Sequence, residues 1–319
     1  MRPIRAAIPT TAEIRALFGA YRRATDVDVG TLTAELDDEP DAMLLDLLAE
    51  PFASVEDVDD RLSRAETYLR ERNDGRAVFL TVYTRMTEAV ADGLETGFFD
   101  DSEWVASYLV AFAERYRRAL VAFERRAFGS SSLPHAWLLG FEAAVRGENL
   151  VLQDALSGIN AHITYDLTYT LRDVGIDPDR DRKRTDHDRI NAVLARLVSA
   201  VQEALVAVYD AAGVSGAEAL FDPLDDRLML LGLEGSREFA WRNAVLLADL
   251  PAWLGERYVG WRTRTASTGA AALVLAPRID SETRSALKEV EDDVLTLTAF
   301  RDELERRLPP PVPDERAGE

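Results

Sequence analysis

Over most of this 319-residue chain, apolar side chains recur every three or four positions, and no regular succession of strands and helices is legible. Ile190, Leu194, Leu197, Val201, Leu205 and Val208 form one such series, and Trp104, Tyr108, Phe112, Tyr116, Leu120 and Phe123 form another. A helix with an apolar stripe must bury it against another helix. The pattern therefore specifies an all-α fold, a multi-helix bundle-like single domain, and excludes a doubly wound sheet. With 47% hydrophobic residues the chain can bury a substantial core.

Caps and breakers divide the pattern. Thr10 with Glu13 makes a capping box for a helix through Ile14, Leu17, Phe18 and Tyr21. An acidic stretch follows, with one or two short helices between Pro40 and Pro51 packed loosely against the body. Residues 1–54 are thus an acidic helical N-terminal extension to a main helical domain over 55–308. Asn73-Asp74-Gly75 signals a turn. Helices are expected over 77–98, from an Asp100–Glu103 capping signal through Phe123, over 135–145 after the break ending at Pro134, and over 150–174. A loop at 175–181 leads to a helix capped by Thr185 with Asp188 and reaching Ala212. Residues 236–254 read as helix, 255–280 as the least helical region with an extended excursion, and 281–308 as the last helix. Pro309-Pro310-Pro311 stops it, leaving 309–319 as a disordered tail.

Charge and cysteine content exclude several functions. The chain carries 57 acidic against 37 basic residues, a net charge of -20, and Lys183 and Lys288 are its only lysines. That balance fits a high-salt cytoplasm, in which salt screens self-repulsion, and points to a halophile. It excludes non-specific nucleic-acid binding, because the one compact basic run near the polar residues, Arg182 to Arg184, sits among Asp179, Asp181 and Asp186. Without cysteine there are no disulfides, no thiolate chemistry and no cysteine-ligated metal. No apolar run is long enough for a signal sequence or a membrane span, so the expected location is the cytoplasm. Phosphate-binding glycine loops, dinucleotide fingerprints, haem motifs and G-x-S-x-G elbows are absent.

Two of three histidines, His162 and His187, fall in one short polar stretch. At 100° per residue, His162 and Asp166 stack on one helix face, while Asn160 points nearly the opposite way. An H-x-x-x-D pair can present two ligands to a metal, or let a carboxylate orient an imidazole. His187 lies on the apolar face of its helix, in what reads as the first turn, where exposed N–H groups favour neutral imidazole. Asp188 reads as a cap, leaving Asp186 free. Glu142 shares a face with His135 and can reach the same interior; Glu238 either pairs with Arg242 at i,i+4 or contributes from the far side. His162, Asp166, His187, Glu142 and Glu238 are therefore the candidate metal ligands, for zinc, manganese or iron, with Asp186, Arg184 and Arg242 as candidate catalytic residues. A buried hydrogen-bond network joining His162, Asp166 and His187 explains the same residues without catalysis.

Four blocks, DGRAVFLTVYTRMTEAV (74–90), FFDD (98–101), GINAHITYDL (158–167) and RKRTDHDRIN (182–191), with a weaker echo in REFAWRNAVLLA (237–248), resemble the uncharacterised domain-of-unknown-function family 5995 of archaea and bacteria. That resemblance covers about 55–250 and brings no activity with it. More loosely, HITYD and His187-Asp188 are similar to the ligand elements of helical metal-dependent phosphoesterases, both the zinc phospholipase and nuclease type and the His-Asp dyad phosphohydrolases. Three histidines are too few for a three-zinc cluster. The implied activity is hydrolysis of a phosphoester or related ester by a metal-activated water, with Arg184 or Arg242 holding the anion. Two alternatives stand beside it: a non-enzymatic helical protein that binds a small-molecule ligand or is structural, and a non-haem iron redox protein.

Overall fold

A computed structural model of the chain describes residues 11–25, 27–28, 30, 33, 39–129, 132–147, 149–211, 232–275, 281–293 and 297–308. Among them there is no strand. The elements in order are α1 (Thr11–Thr25), α2 (Ala42–Leu47), α3 (Val55–Arg70), α4 (Arg76–Glu95), α5 (Ser102–Glu124), α6 (His135–Arg146), α7 (Val151–Asn160), a π-helical turn (Ala161–Asp166), α8 (Leu167–Val174), α9 (Arg180–Ala211), α10 (Leu233–Asp249), α11 (Ala252–Leu275), α12 (Ser281–Asp293) and α13 (Leu297–Arg307). The expected tail at 309–319 and the Thr10 end of the first capping box lie outside the described residues. The all-α bundle expected from the periodicity is the fold.

Helix α4 is its axis. Every residue from Arg76 to Thr84 is buried, so the helix is covered on all sides, by α3, α5, α7 and α9 among others. Polar residues survive there because Thr81, Thr84 and Thr87 donate their hydroxyls to the carbonyls of Ala77, Thr81 and Tyr83. Gly158 brings α7 against α4, since a Cβ at that position would lie 2.3 Å from Cγ of Phe79. The turn before α4 is the one its sequence specifies, with Asn73 at φ 54° and Asp74 accepting the Arg76 N–H.

The N-terminal helices are held more firmly than their composition implies. Leu44 and Leu48 are buried in the main core, Arg117 donates to the Leu48 carbonyl at 2.6 Å, and Glu124 accepts from the Asp41 N–H at 2.7 Å. Burial and these bonds correct the expectation of loose packing around α2. Helix α1 lies along α11, with Arg23 Nε donating to the Gly269 carbonyl at 3.0 Å.

Three expectations about elements change. Of the stretch 255–280, residues 255–275 are not extended but lie in helix α11, and 276–280 lie outside the described residues. The periodicity of α11 is faint because it is buried over much of its circumference and lined by small residues, Ala266, Gly269, Ala270 and Ala271. Helix α9 starts at Arg180, one and a half turns before Thr185, with Lys183 N–H already bonded to the Asp179 carbonyl. Asp188 is consequently inside the helix and pairs with Arg184 at 2.7 Å instead of capping. The helix expected over 150–174 is continuous but widens to a π-turn where His162 and Asp166 sit.

Candidate functional site

The π-turn places His162 and Asp166 in the middle of the bundle, both buried. His162 Nδ1 and Asp166 Oδ2 are 3.1 Å apart, and the same oxygen accepts from Trp137 Nε1 at 2.7 Å. Nδ1 is thereby the protonated nitrogen of a neutral ring, and Nε2 carries a lone pair with no hydrogen-bond partner among the described residues. Aromatic rings enclose the imidazole. Phe112 lies parallel to it at 3.5 Å, Tyr83 stands edge-on at 4.6 Å, and Phe79 and Trp137 complete the wall at 5.8 Å. Burial lowers the His162 pKa, with Asp166 opposing, and burial beside Asp166 drives the Tyr83 phenol well up.

His187 forms a second centre. Arg237, from α10, donates through Nη2 to the His187 carbonyl at 2.8 Å and lies 3.2 Å from Nδ1. A guanidinium only donates, so Nδ1 is the acceptor and Nε2 bears the proton, the reverse of His162. Nε2 is again buried and without a partner among the described residues. Tyr108 Oη is also 3.2 Å from Nδ1, and Trp241 tilts over the ring at 5.1 Å. Burial first, then Arg237 and Arg184, hold the His187 pKa well below its ordinary value. The expected neutrality is present, but its cause is not a helix N-terminus, because His187 lies two turns into α9.

The two centres are separate: His162 stacks on Phe112 and His187 on Tyr108, one turn apart on α5. Glu142 is buried on α6 and pairs with Arg146. Glu238 is half-exposed and turns to Arg184 at 2.7 Å, not along its helix to Arg242, which is half-buried on α10. Arg184 thus holds Asp188 and Glu238, with its guanidinium over Trp241. Asp186, wholly buried, accepts the backbone N–H groups of Asp100 at 2.8 Å and Asp101 at 2.7 Å and a bond from Arg189 at 2.8 Å. Asn160 bonds to the Ser267 carbonyl, away from His162, as its position on the helix implied. The structure therefore brings His162 and Asp166 together, and it does not gather the five candidate ligands at one point. Among the described residues, no three His, Asp or Glu side chains converge as a metal-binding set would.

Sequence reasoning passed over Trp137 and Arg237 and read Tyr108 as a core aromatic of the α5 stripe. For Arg237 a signal existed. It shares a stripe with Trp241 and Ala244, at i+4 and i+7, so its cation is on the apolar face of α10. Trp137 carried none, because indole on a core face is ordinary and its N–H partner lies 29 residues away.

Among the described residues no helix is long and apolar enough to cross a membrane. No curated protein and no solved structure matches the chain. A family pattern does, over residues 55–277, which takes in the whole of both histidine centres and most of the chain. The chain belongs to DUF5995, a family of unknown function.

Proposed function

We propose that this chain is a non-enzymatic helical protein, structural or ligand-binding, whose His/Asp cluster is a buried hydrogen-bond network. One observation carries this reading: a single oxygen, Asp166 Oδ2, accepts from both Trp137 and His162 at full burial, so the pair is consumed in joining α6 to the π-turn. A buried carboxylate with two donors fixes the orientation of three side chains, and removing it leaves both donors unsatisfied. Aromatic rings pack against both the face and the edge of His162, which is buried. Asp186 is engaged in the same manner, as the acceptor for two backbone N–H groups at the head of α5.

Hydrolysis of a phosphoester, or iron redox chemistry, requires a metal held by His162, Asp166 or His187 together with further ligands. Elemental analysis of the dialysed full chain beside His162→Ala separates the readings. The network reading expects no stoichiometric zinc, manganese or iron in either protein and a lower melting temperature in the variant. Near-stoichiometric metal in the parent, lost in the variant, would refute it.

A further inference from the structure

Arg237 is 1% exposed, yet among the described residues no carboxylate pairs with it. Its Nε donates to Asn191 Oδ1 and its Nη2 to the His187 carbonyl and ring, all uncharged groups, and Nη1 makes no hydrogen bond to the described residues. The buried arginines of α4 and α5 themselves each have a carboxylate: Arg76 has Asp74 and Glu124, and Arg117 has Glu114. A cation taken from water without a counter-charge costs several kcal/mol, so an isolated one marks a place where negative charge is expected.

That place is hollow. Arg237 lines a cavity of about 30 Å³ together with Tyr83, Thr87, Val90, Tyr108 and Ile190. One water needs roughly 10–15 Å³ of such space, so this cavity holds one or two waters or one compact ion. A phosphate ester does not fit. Apart from Arg237 and the hydroxyls of Thr87, Tyr83 and Tyr108, the walls are apolar. Thr87 is already spent on the Tyr83 carbonyl. Tyr108 O–H is directed at His187 Nδ1, so the donors left to face an occupant are the guanidinium and the Tyr83 O–H, both suited to an anion, and among the described residues no acidic side chain lines the wall to repel one.

We propose that the Arg237 cavity is a binding site for a single halide-sized anion, held by the guanidinium and the Tyr83 hydroxyl between α4, α5, α9 and α10. The site rests on Arg237 and not on the His162 network, so either reading can fail alone. The ion completes the charge balance of the core and ties α10 to α4 and α5. Its occupancy stabilises the fold in proportion to the logarithm of anion concentration once the site is filling.

The test uses the full chain purified in sodium gluconate. Crystals grown or soaked in sodium bromide should show a bromine anomalous peak within hydrogen-bonding distance of the Arg237 guanidinium. The melting temperature should rise with sodium chloride or bromide relative to gluconate at equal ionic strength. Val90→Leu, which fills the cavity and leaves the Arg237 bonds in place, should melt cooperatively and lose the halide response; Arg237→Gln should lose it too. A cavity in the bromide crystals with water but no bromine overturns the site, whatever the melting curves do. So does a halide response that survives in Val90→Leu. The crystal measurement needs no variant and decides the matter even if both variants fail to fold.

Discussion

The imidazole of His162 lies flat on the phenyl ring of Phe112, 3.5 Å between centroids and 7° from parallel, while its edge is bonded to Asp166. One ring is thus fixed both in its plane and perpendicular to it. Asp166 is the member whose loss is felt twice. Asp166→Ala strands the Trp137 and His162 N–H groups, at about 1–3 kcal/mol each, so urea denaturation should give a loss of about 2–6 kcal/mol. Asp166→Asn keeps one acceptor and should lose clearly less. Equal losses would mean that the two donors do not depend on this oxygen.

Asp186 offers a sharper discrimination. Each of its oxygens accepts one of two adjacent backbone N–H groups, at 2.8 and 2.7 Å. Asp186→Asn conserves shape but replaces one acceptor with a donor. A loss of about 1–3 kcal/mol is expected, with early hydrogen exchange of the Asp100 and Asp101 amides. Unchanged stability and amide protection would contradict the anchoring role.

Acid–base titration of stability should expose Asp154, whose carboxyl is pushed up to about 7, chiefly by burial, with Glu291 adding and the Asn149 bond opposing. Between about pH 4 and pH 7 the unfolded chain has released this proton and the folded chain keeps it, so this group lowers stability as pH rises. His162 and His187 act in the opposite sense. Their folded pKa values are depressed, so they cost stability as pH falls below about 6.5, where the unfolded rings take up protons. Asp154→Asn removes the first contribution alone. Over pH 4.5–6.5 its stability should rise with pH more steeply than the parent's, by about 1.4 kcal/mol per unit, and it should be the more stable protein at pH 8. Parallel curves for the two proteins would show that Asp154 ionises normally.

The seam between α1 and α11 has no slack. A Cβ on Gly269 would meet the Ala20 carbonyl oxygen at 2.3 Å, backbone against backbone. Gly269→Ala should push α1 off, costing about 1–3 kcal/mol as overpacking does and opening the chain near Thr25 to limited proteolysis. Uncut protein under conditions that spare the parent would show that the seam can yield.

Much of this architecture is written in periodicity, and much of the site is not. The stripe from Trp104 to Phe123 identifies α5 because its residues face one core. Helix α11 escaped because Ala266, Gly269 and Ala270 are buried on a helix covered on several sides, which erases the polar contrast that a period needs. Composition likewise concealed the start of α9: Arg180 to Arg184 lacks apolar residues, and its helix is held by ion pairs from Arg180 to Asp177 and Asp249. His162 and Asp166 were legible as a pair because four-residue spacing acts locally. The Asp166 bond from Trp137 and the lack of a carboxylate at Arg237 are tertiary facts, set by which helix lies opposite.

The wide turn at Ala161–Asp166 has a further meaning when the rod from Val151 to Val174 is treated as a shaft. Ahead of it, α7 meshes with α4, α6 and α11; beyond it, α8 meshes with α5 and α10. One extra residue in an α-helix advances everything after it by ~100°, so the turn works as a phase shift between two sets of neighbours. Deleting any one of its six residues would make a more regular helix and a worse protein, since one half would then present the wrong teeth to its partners.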